Sequence, residues 1–325
     1  ACMICSVQTP RSVQLESLFP QGVPGLWCRL LTHCSADGRV DLSRMQAQIN
    51  FLRPHVQGFV LLDDESAHLK LDAAERLKLI EWMLKTLRPR REFLLISASA
   101  TQAVDDTGII LPADHSLAGL LVRPSLEETA TQADLLEHLT PAMRSGIAIA
   151  LLQSSQTPAY AAQTLATLAA RHENLLYFAD ETGDDAIARS NLLPAGVFRF
   201  RAAESQYAQA LASSGGLYHG LMLASANVFP SQLAELVLAP ALGKWEDARQ
   251  ISDRITAVMD SSRFLAQSLP RAIRAIDHFM AHGPDALNTP LPISPDGGTL
   301  RHELLQAIRQ ILTEHQLLPI QGYLQ

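Results

Sequence analysis

Lysine is scarce in this chain: Lys70, Lys78, Lys85 and Lys244 are the only four in 325 residues. Chemistry that depends on a side-chain primary amine is confined to those positions. Lys78 and Lys85 are spaced like the solvated face of a helix, Lys244 sits in the link Gly243-Lys244-Trp245, and only Lys70 follows a strand-like run. No Lys/Arg cluster or aromatic-interleaved basic stripe is present and the net charge is −7, which excludes a nucleic-acid partner. Cysteine is equally sparse. Cys2, Cys5, Cys28 and Cys34 all lie near the start, and Cys2 and Cys5 form one CxxC with no second pair and no following histidine motif. That pattern leaves zinc as the weaker reading and reduced thiols of a cytosolic protein as the stronger. No apolar run reaches the roughly 18 residues that span a bilayer, and no basic segment followed by an apolar one opens the chain, so the expectation is a cytoplasmic protein with no membrane partner. Neither GxGxxG nor GxxxxGK[ST] follows any strand, which removes the nucleotide-binding α/β folds and leaves no cofactor expected.

What the chain does have is apolar mass and alternation. It is 47% hydrophobic and 18% charged, enough for a large core. Gly25 to Thr32 is a compact apolar run, followed by the turn Asp37-Gly38 and by Asp41 as a helix cap before Leu42, Met45, Ile49 and Leu52 at helical spacing. The same plan recurs. Strands are expected at 58–62, 92–99, 118–122, 146–152, 175–180, 197–201 and 220–224, each followed by a helical or turn segment; Asp72 caps the second helix, Thr157-Pro158 opens the one after the fifth strand, and residues 204–213 form the one after the seventh. Eight strand-helix alternations predict an α/β fold, a (β/α)8 TIM barrel. Residues 1–22 read as an irregular N-terminal leader, 23–242 as the barrel, and 243–325 as a helical C-terminal extension with helices over 245–269 and 300–315.

Several short pieces, in order along the chain, carry a resemblance: Asp37-Gly38-Arg39-Val40-Asp41 after the first strand, Glu65-Ser66 after the second, and Glu181-Thr182-Gly183 after the sixth. Ala226-Asn227-Val228-Phe229-Pro230 after the eighth and Leu291-Pro292-Ile293-Ser294-Pro295 in the tail complete the set. Together they resemble the dihydrodipicolinate synthase and N-acetylneuraminate lyase family of barrel aldolases. The resemblance implies a class I pyruvate aldolase, in which the sixth strand carries a lysine that forms a Schiff base with pyruvate, and a homo-oligomer, dimer or tetramer. At that lysine's place this chain has Ala179. The family's Gly-Thr-Thr-Gly-Glu turn, which holds the substrate carboxylate, corresponds to Leu61-Leu62-Asp63-Asp64-Glu65, so two threonines are replaced by aspartates that repel an anion. The proton-relay tyrosine of the fifth strand falls at Leu152, and the tyrosine shared between subunits falls at Ser125-Leu126.

The expected protein is therefore a divergent relative without the aldolase activity that binds a small anionic ligand or a partner; the alternative is an active lyase or aldolase on a small keto acid, working through Lys70 or a divalent metal. Strand alternation puts Tyr177, Ala179 and Glu181 on one face. The mouth of the barrel is expected to collect Asp63, Asp64, Glu65, Arg123, Gln153 and Glu181. If Phe198 and Phe200 pack under the helices, Arg199 and Arg201 point inward as well. Three uses of these residues stay open: a plug pairing Arg199 or Arg201 with Glu181, a bidentate arginine contact to a ligand's carboxylate or phosphate, or a hard cation such as Mg²⁺ on Asp63, Asp64 and Glu181. His33 and His68 follow strands but read as solvated or capping, and Tyr218-His219 reads as structural.

Overall fold

In the computed structural model, eight parallel strands close into a barrel in sequence order, each pairing with the next and β8 with β1. The structure describes residues 10–35, 37–63, 71–107 (side chains to 103) and 115–325. The strands are β1 (Leu26–Arg29), β2 (Gly58–Leu61), β3 (Phe93–Ser99), β4 (Leu117–Arg123), β5 (Ile149–Gln153), β6 (Leu175–Asp180), β7 (Phe198–Arg201) and β8 (Gly220–Leu223). Between them run α2 (Leu42–Leu52), α3 (Ala73–Leu87), α4 (Ala100–Thr107), α5 (Gln132–Met143), α6 (Ala162–Arg171), α7 (Ala186–Arg189) and α8 (Tyr207–Ala210), with α9 (Pro230–Leu238) after β8. The caps read from sequence are present: Asp41 accepts from Arg44 N, and Asp72 forms a reciprocal capping box with Glu75.

Strand alternation divides the core in two. Outward residues such as Cys28, Phe59, Leu61, Ile96, Leu151 and Phe178 pack under the helices. Inward residues, among them Trp27, Val60, Leu95, Leu121, Leu152, Tyr177, Ala179, Phe200 and Met222, form a separate core inside the barrel. Gly58 belongs to this packing, because a Cβ there would lie 2.2 Å from the Trp27 ring.

Several local expectations are corrected. The segment expected to be irregular contains α1 (Arg11–Leu18), too short for its period to stand out. Arg11 anchors it by donating to Leu175 O and His172 O, both at 2.9 Å. Phe19, just beyond, closes the barrel's N-terminal end against Phe93, Trp27 and Tyr177, with ring centroids 4.6, 6.2 and 6.3 Å away. Thr157-Pro158 does not open α6, which starts at Ala162 with Ala161 as N-cap. The expected helix over 204–213 is a single turn, α8, followed by a 3₁₀ turn.

The tail holds three helices where the sequence suggested two: α10 (Trp245–Ala266), α11 (Leu269–His282) and α12 (His302–Glu314). All ten residues from Ala272 to Ala281 of α11 are buried, the polar Arg274, Asp277 and His278 among them. A buried polar network fastens it to the barrel. Asp277 of α11 accepts from Arg44 of α2 (2.9 Å), Tyr323 Oη (2.9 Å) and Gln48 Nε2 (3.4 Å). Burial favours a neutral Asp277, but Arg44 and the neighbouring donors outweigh it and hold its carboxyl below the usual range.

Candidate functional site

The C-terminal mouth of the barrel is built around an arginine in the first strand. Trp27 and Arg29 are two apart on β1, so both point inward, and Arg29 emerges above the apolar interior. Asn227, in the turn after β8, fixes this strand end by donating to Arg29 O (2.7 Å) and accepting from Leu31 N (3.0 Å). Leu62 takes a left-handed conformation (φ 62°). The chain turns there, and Asp63 joins the cluster over the mouth with its side chain fully buried.

Asp63 then binds two arginines. Arg29 Nε and Arg123 Nη2 both donate to its carboxylate, and Ser97 Oγ adds a third bond at 3.0 Å. Arg29 Nη1 donates in turn to Glu181 Oε1 at 2.8 Å. Glu181 is placed by the turn after β6, where Asp180 accepts from Thr182 N (2.9 Å) and Thr182 Oγ1 (2.6 Å). Among the described residues the result is a chain of alternating charge, Arg123, Asp63, Arg29, Glu181. Burial works against both ionised forms at its centre. The charges nevertheless prevail: Arg123 and Arg29 hold the Asp63 carboxyl below its ordinary range, and Asp63 and Glu181 hold the Arg29 guanidinium well above its own.

Above this cluster lies a cavity of about 520 Å³. Arg29, Asp63 and Glu181 form its floor, Ser154 and Glu204 lie on its barrel side, and the far wall is the tail: Arg263 at the end of α10, the first turn of α11 with Arg271, and Asp296 in the following loop. Glu204 accepts from Ala224 N (2.7 Å), Ser225 N (3.1 Å) and Tyr207 Oη (3.1 Å). Burial pushes its carboxyl up, with the Ser225 bonds and Arg29 opposing part of that rise.

This closed eight-strand barrel with a helical tail over its C-terminal mouth has known counterparts. YagE, a prophage protein of the dihydrodipicolinic acid synthase family from E. coli K12, solved in complex with pyruvate, superposes with a TM-score of 0.75 at 18% identity, covering 90% of this chain and 98% of that one. Dihydrodipicolinate synthase from Thermotoga maritima gives 0.73 at 17% identity over 90% and 99% of the two chains, and the enzyme from Aquifex aeolicus 0.72 at 19% over 91% and 99%. The fold is that of the dihydrodipicolinate synthases. No protein-family model and no curated protein matches the sequence, so the likeness is one of structure.

Within this dihydrodipicolinate synthase fold, the expected site residues divide. Asp63, Arg123 and Glu181 come together as anticipated, and Tyr177, Ala179 and Glu181 share the inner face. Ala179 is fully buried between Leu152 and Phe200, its partners on β5 and β7. Gln153 does not reach the mouth: it faces the helix layer and accepts from Tyr160 N at 2.8 Å. Arg199 and Arg201 are also corrected, because the phenylalanines and not the arginines face inward. Two apolar rings suit the packed barrel interior better than two charges. Arg199 meets His219 outside, and Arg201 is buried behind β7, bound to Asp185 with its guanidinium 5.7 Å from the centre of the Tyr218 ring.

His33 is buried and pairs with Gln48 Oε1 at 2.9 Å, and burial lowers its pKa to about 4. Asp64, Glu65, Lys70, His68, Cys2 and Cys5 lie outside the described residues. Among the described residues no three His, Cys, Asp or Glu side chains form a metal cluster, the lysines are all exposed, and no helix is long and apolar enough to cross a membrane. Arg29, Glu204, Arg263 and Arg271 were not anticipated. The available signal was Arg29 itself, a charge two residues from a tryptophan in an otherwise apolar strand.

Proposed function

We propose that this protein binds a small organic acid in the cavity over the barrel mouth and does not form a Schiff base with it. The observation that carries this reading is the pair of Ala179 and Arg29. Where the family resemblance calls for an imine-forming amine there is a buried methyl group, and the space above it is organised by a guanidinium held between two carboxylates. Guanidinium groups, here Arg29 on the floor and Arg263 and Arg271 on the opposite wall, recognise carboxylates but do not act as imine-forming nucleophiles. Because Trp27, Leu152, Tyr177 and Phe200 fill the barrel below, a ligand has room only from Arg29 upward.

The pyruvate in the YagE structure makes keto acids the first compounds to try. A metal-assisted reaction is less well supported, since both Asp63 oxygens already accept hydrogen bonds, two of the donors being guanidinium groups that repel a cation. The test combines calorimetry with pyruvate and borohydride trapping of the same sample, read by intact-mass spectrometry. Heat of binding without an added mass is expected. A covalent adduct on any lysine, Lys70 included, refutes the reading and restores the aldolase alternative. No heat with any small acid refutes it from the other side and leaves the cluster as a plug.

A further inference from the structure

The two sides of the mouth cavity carry opposite charge, and the difference bears on how a ligand lies in it. Among the described residues, Asp63, Glu181 and Glu204 on the floor and barrel side outnumber Arg29 and its neighbour Arg123 by one charge. On the tail side, Arg263 and Arg271 face Asp296, an excess of one guanidinium. Neither tail arginine makes an ion pair with a described residue, and Arg271 Nε is buried without a hydrogen-bond partner. Asp296, the carboxylate on that wall, accepts from Gly298 N at 3.1 Å, and that bond, the Ser294 hydroxyl and the more distant Arg271 together hold its carboxyl below the usual range.

Building on the small-acid reading above, we propose that the ligand's acid group binds the tail wall at Arg263 and Arg271, while its other end presents a hydrogen-bond donor, hydroxyl or ammonium, to Glu204. The floor is the poorer place for an anion. To reach Arg29 a carboxylate must displace Asp63 or Glu181, leaving a carboxylate without its partner, whereas Arg263 and Arg271 are in no close ion pair with a described residue. The first turn of the 14-residue α11 lies on the same wall, and its positive dipole end favours an anion there. Glu204 Oε2 accepts from the Tyr207 hydroxyl, and a carboxylate oxygen has room for a second donor. The ligand class is therefore a small acid bearing a donor, as in hydroxy acids and amino acids.

Calorimetry on the full chain with four matched probes tests this: propionate, lactate, alanine and n-propylamine. Lactate or alanine is expected to bind at least about 10-fold more tightly than propionate, and their order tells hydroxyl from ammonium. Arg271→Leu and the surface variant Arg263→Leu should each weaken the acids by about 10- to 100-fold, with circular dichroism showing an unchanged fold. Glu204→Gln should erase the advantage of lactate and alanine over propionate. If Arg29→Met abolishes binding while both tail variants leave it intact, the acid group sits on the floor; this proposal then fails and the small-acid reading survives. If none of the three acids binds, both fail.

Discussion

Asp63 is the group that both inward arginines share, so its charge can be removed and the consequence measured. Its side chain is 0% exposed, with Arg29 at 9% and Arg123 at 19%. Asp63→Asn keeps the size and one acceptor, but removes the carboxylate that both guanidinium groups share and leaves Arg29 only Glu181 among the described residues. Removing one partner of a buried pair costs about 3–5 kcal/mol. Because Glu181 remains and Arg123 is partly solvated, the low end applies, roughly 3 kcal/mol. Urea unfolding followed by the fluorescence of Trp27, packed inside the barrel, reports the loss. The double variant Asp63→Asn/Arg123→Met removes one charge of each sign and should recover at least about 1 kcal/mol relative to additivity. A single-variant loss below ~1 kcal/mol places the cluster in the class of solvated surface pairs, and strict additivity shows that Asp63 and Arg123 do not act together. Either result undoes the description of the mouth as a buried, ion-paired assembly.

Further outcomes follow from the packing and the buried rings. Ala179→Leu overfills an enclosed position between Leu152 and Phe200 and should cost about 1–3 kcal/mol in the same urea assay; a neutral result points to a void below Arg29. Phe19→Ala opens the N-terminal end of the barrel and should cost about 3–5 kcal/mol, without changing ligand affinity at the opposite end. Stability should also fall between pH 6.5 and about pH 4. His33 stays neutral in the folded protein down to about pH 4, whereas the unfolded chain takes up its proton near pH 6.5, so its contribution is complete above 6.5 and lost as the pH drops toward 4. At ~1.4 kcal/mol per pH unit that is roughly 3 kcal/mol, and His33→Gln should flatten the slope.

The barrel was legible because each strand is a short apolar run and most of the helices between them carry an apolar stripe, so period alone located them. The tail was read less completely. The polar residues of α11, Arg271, Arg274, Asp277 and His278, recur at helical spacing, so its period was there to read and the sequence reading passed over it. In the mouth, Glu181 and Asp63 were found because they stand at strand ends, but alternation assigns faces only relative to a known inward residue. For β6 the family resemblance supplies Ala179 as that residue; for β7 nothing does, so the inward placement of the arginines depends on the phenylalanines packing under the helices, and they pack inside the barrel instead. Arg263, Arg271 and Glu204 could not be placed, since they reach the cavity from the tail and from a loop whose paths are set by tertiary packing.

The tail arginines make the ligand site depend on how firmly α11 is held, and that attachment can be disturbed far from the cavity. Asp277 fastens α11 to α2 through Arg44 at 2.9 Å, and neither residue lines the cavity. Arg44→Met removes the main counter-charge of a carboxylate that is 2% exposed, leaving it Tyr323, Gln48 and a neutral His33, at a cost on the order of 3 kcal/mol. Because Arg271 sits in the first turn of the same helix, a shift of even 1 Å at the anchor reaches the wall, and binding contacts are sensitive to errors of that size. Lactate and alanine affinities should therefore fall several-fold in Arg44→Met even though every cavity residue is intact. If stability drops as expected but affinity is unchanged, α11 is not what positions the acid group, and the ligand is held by the barrel alone.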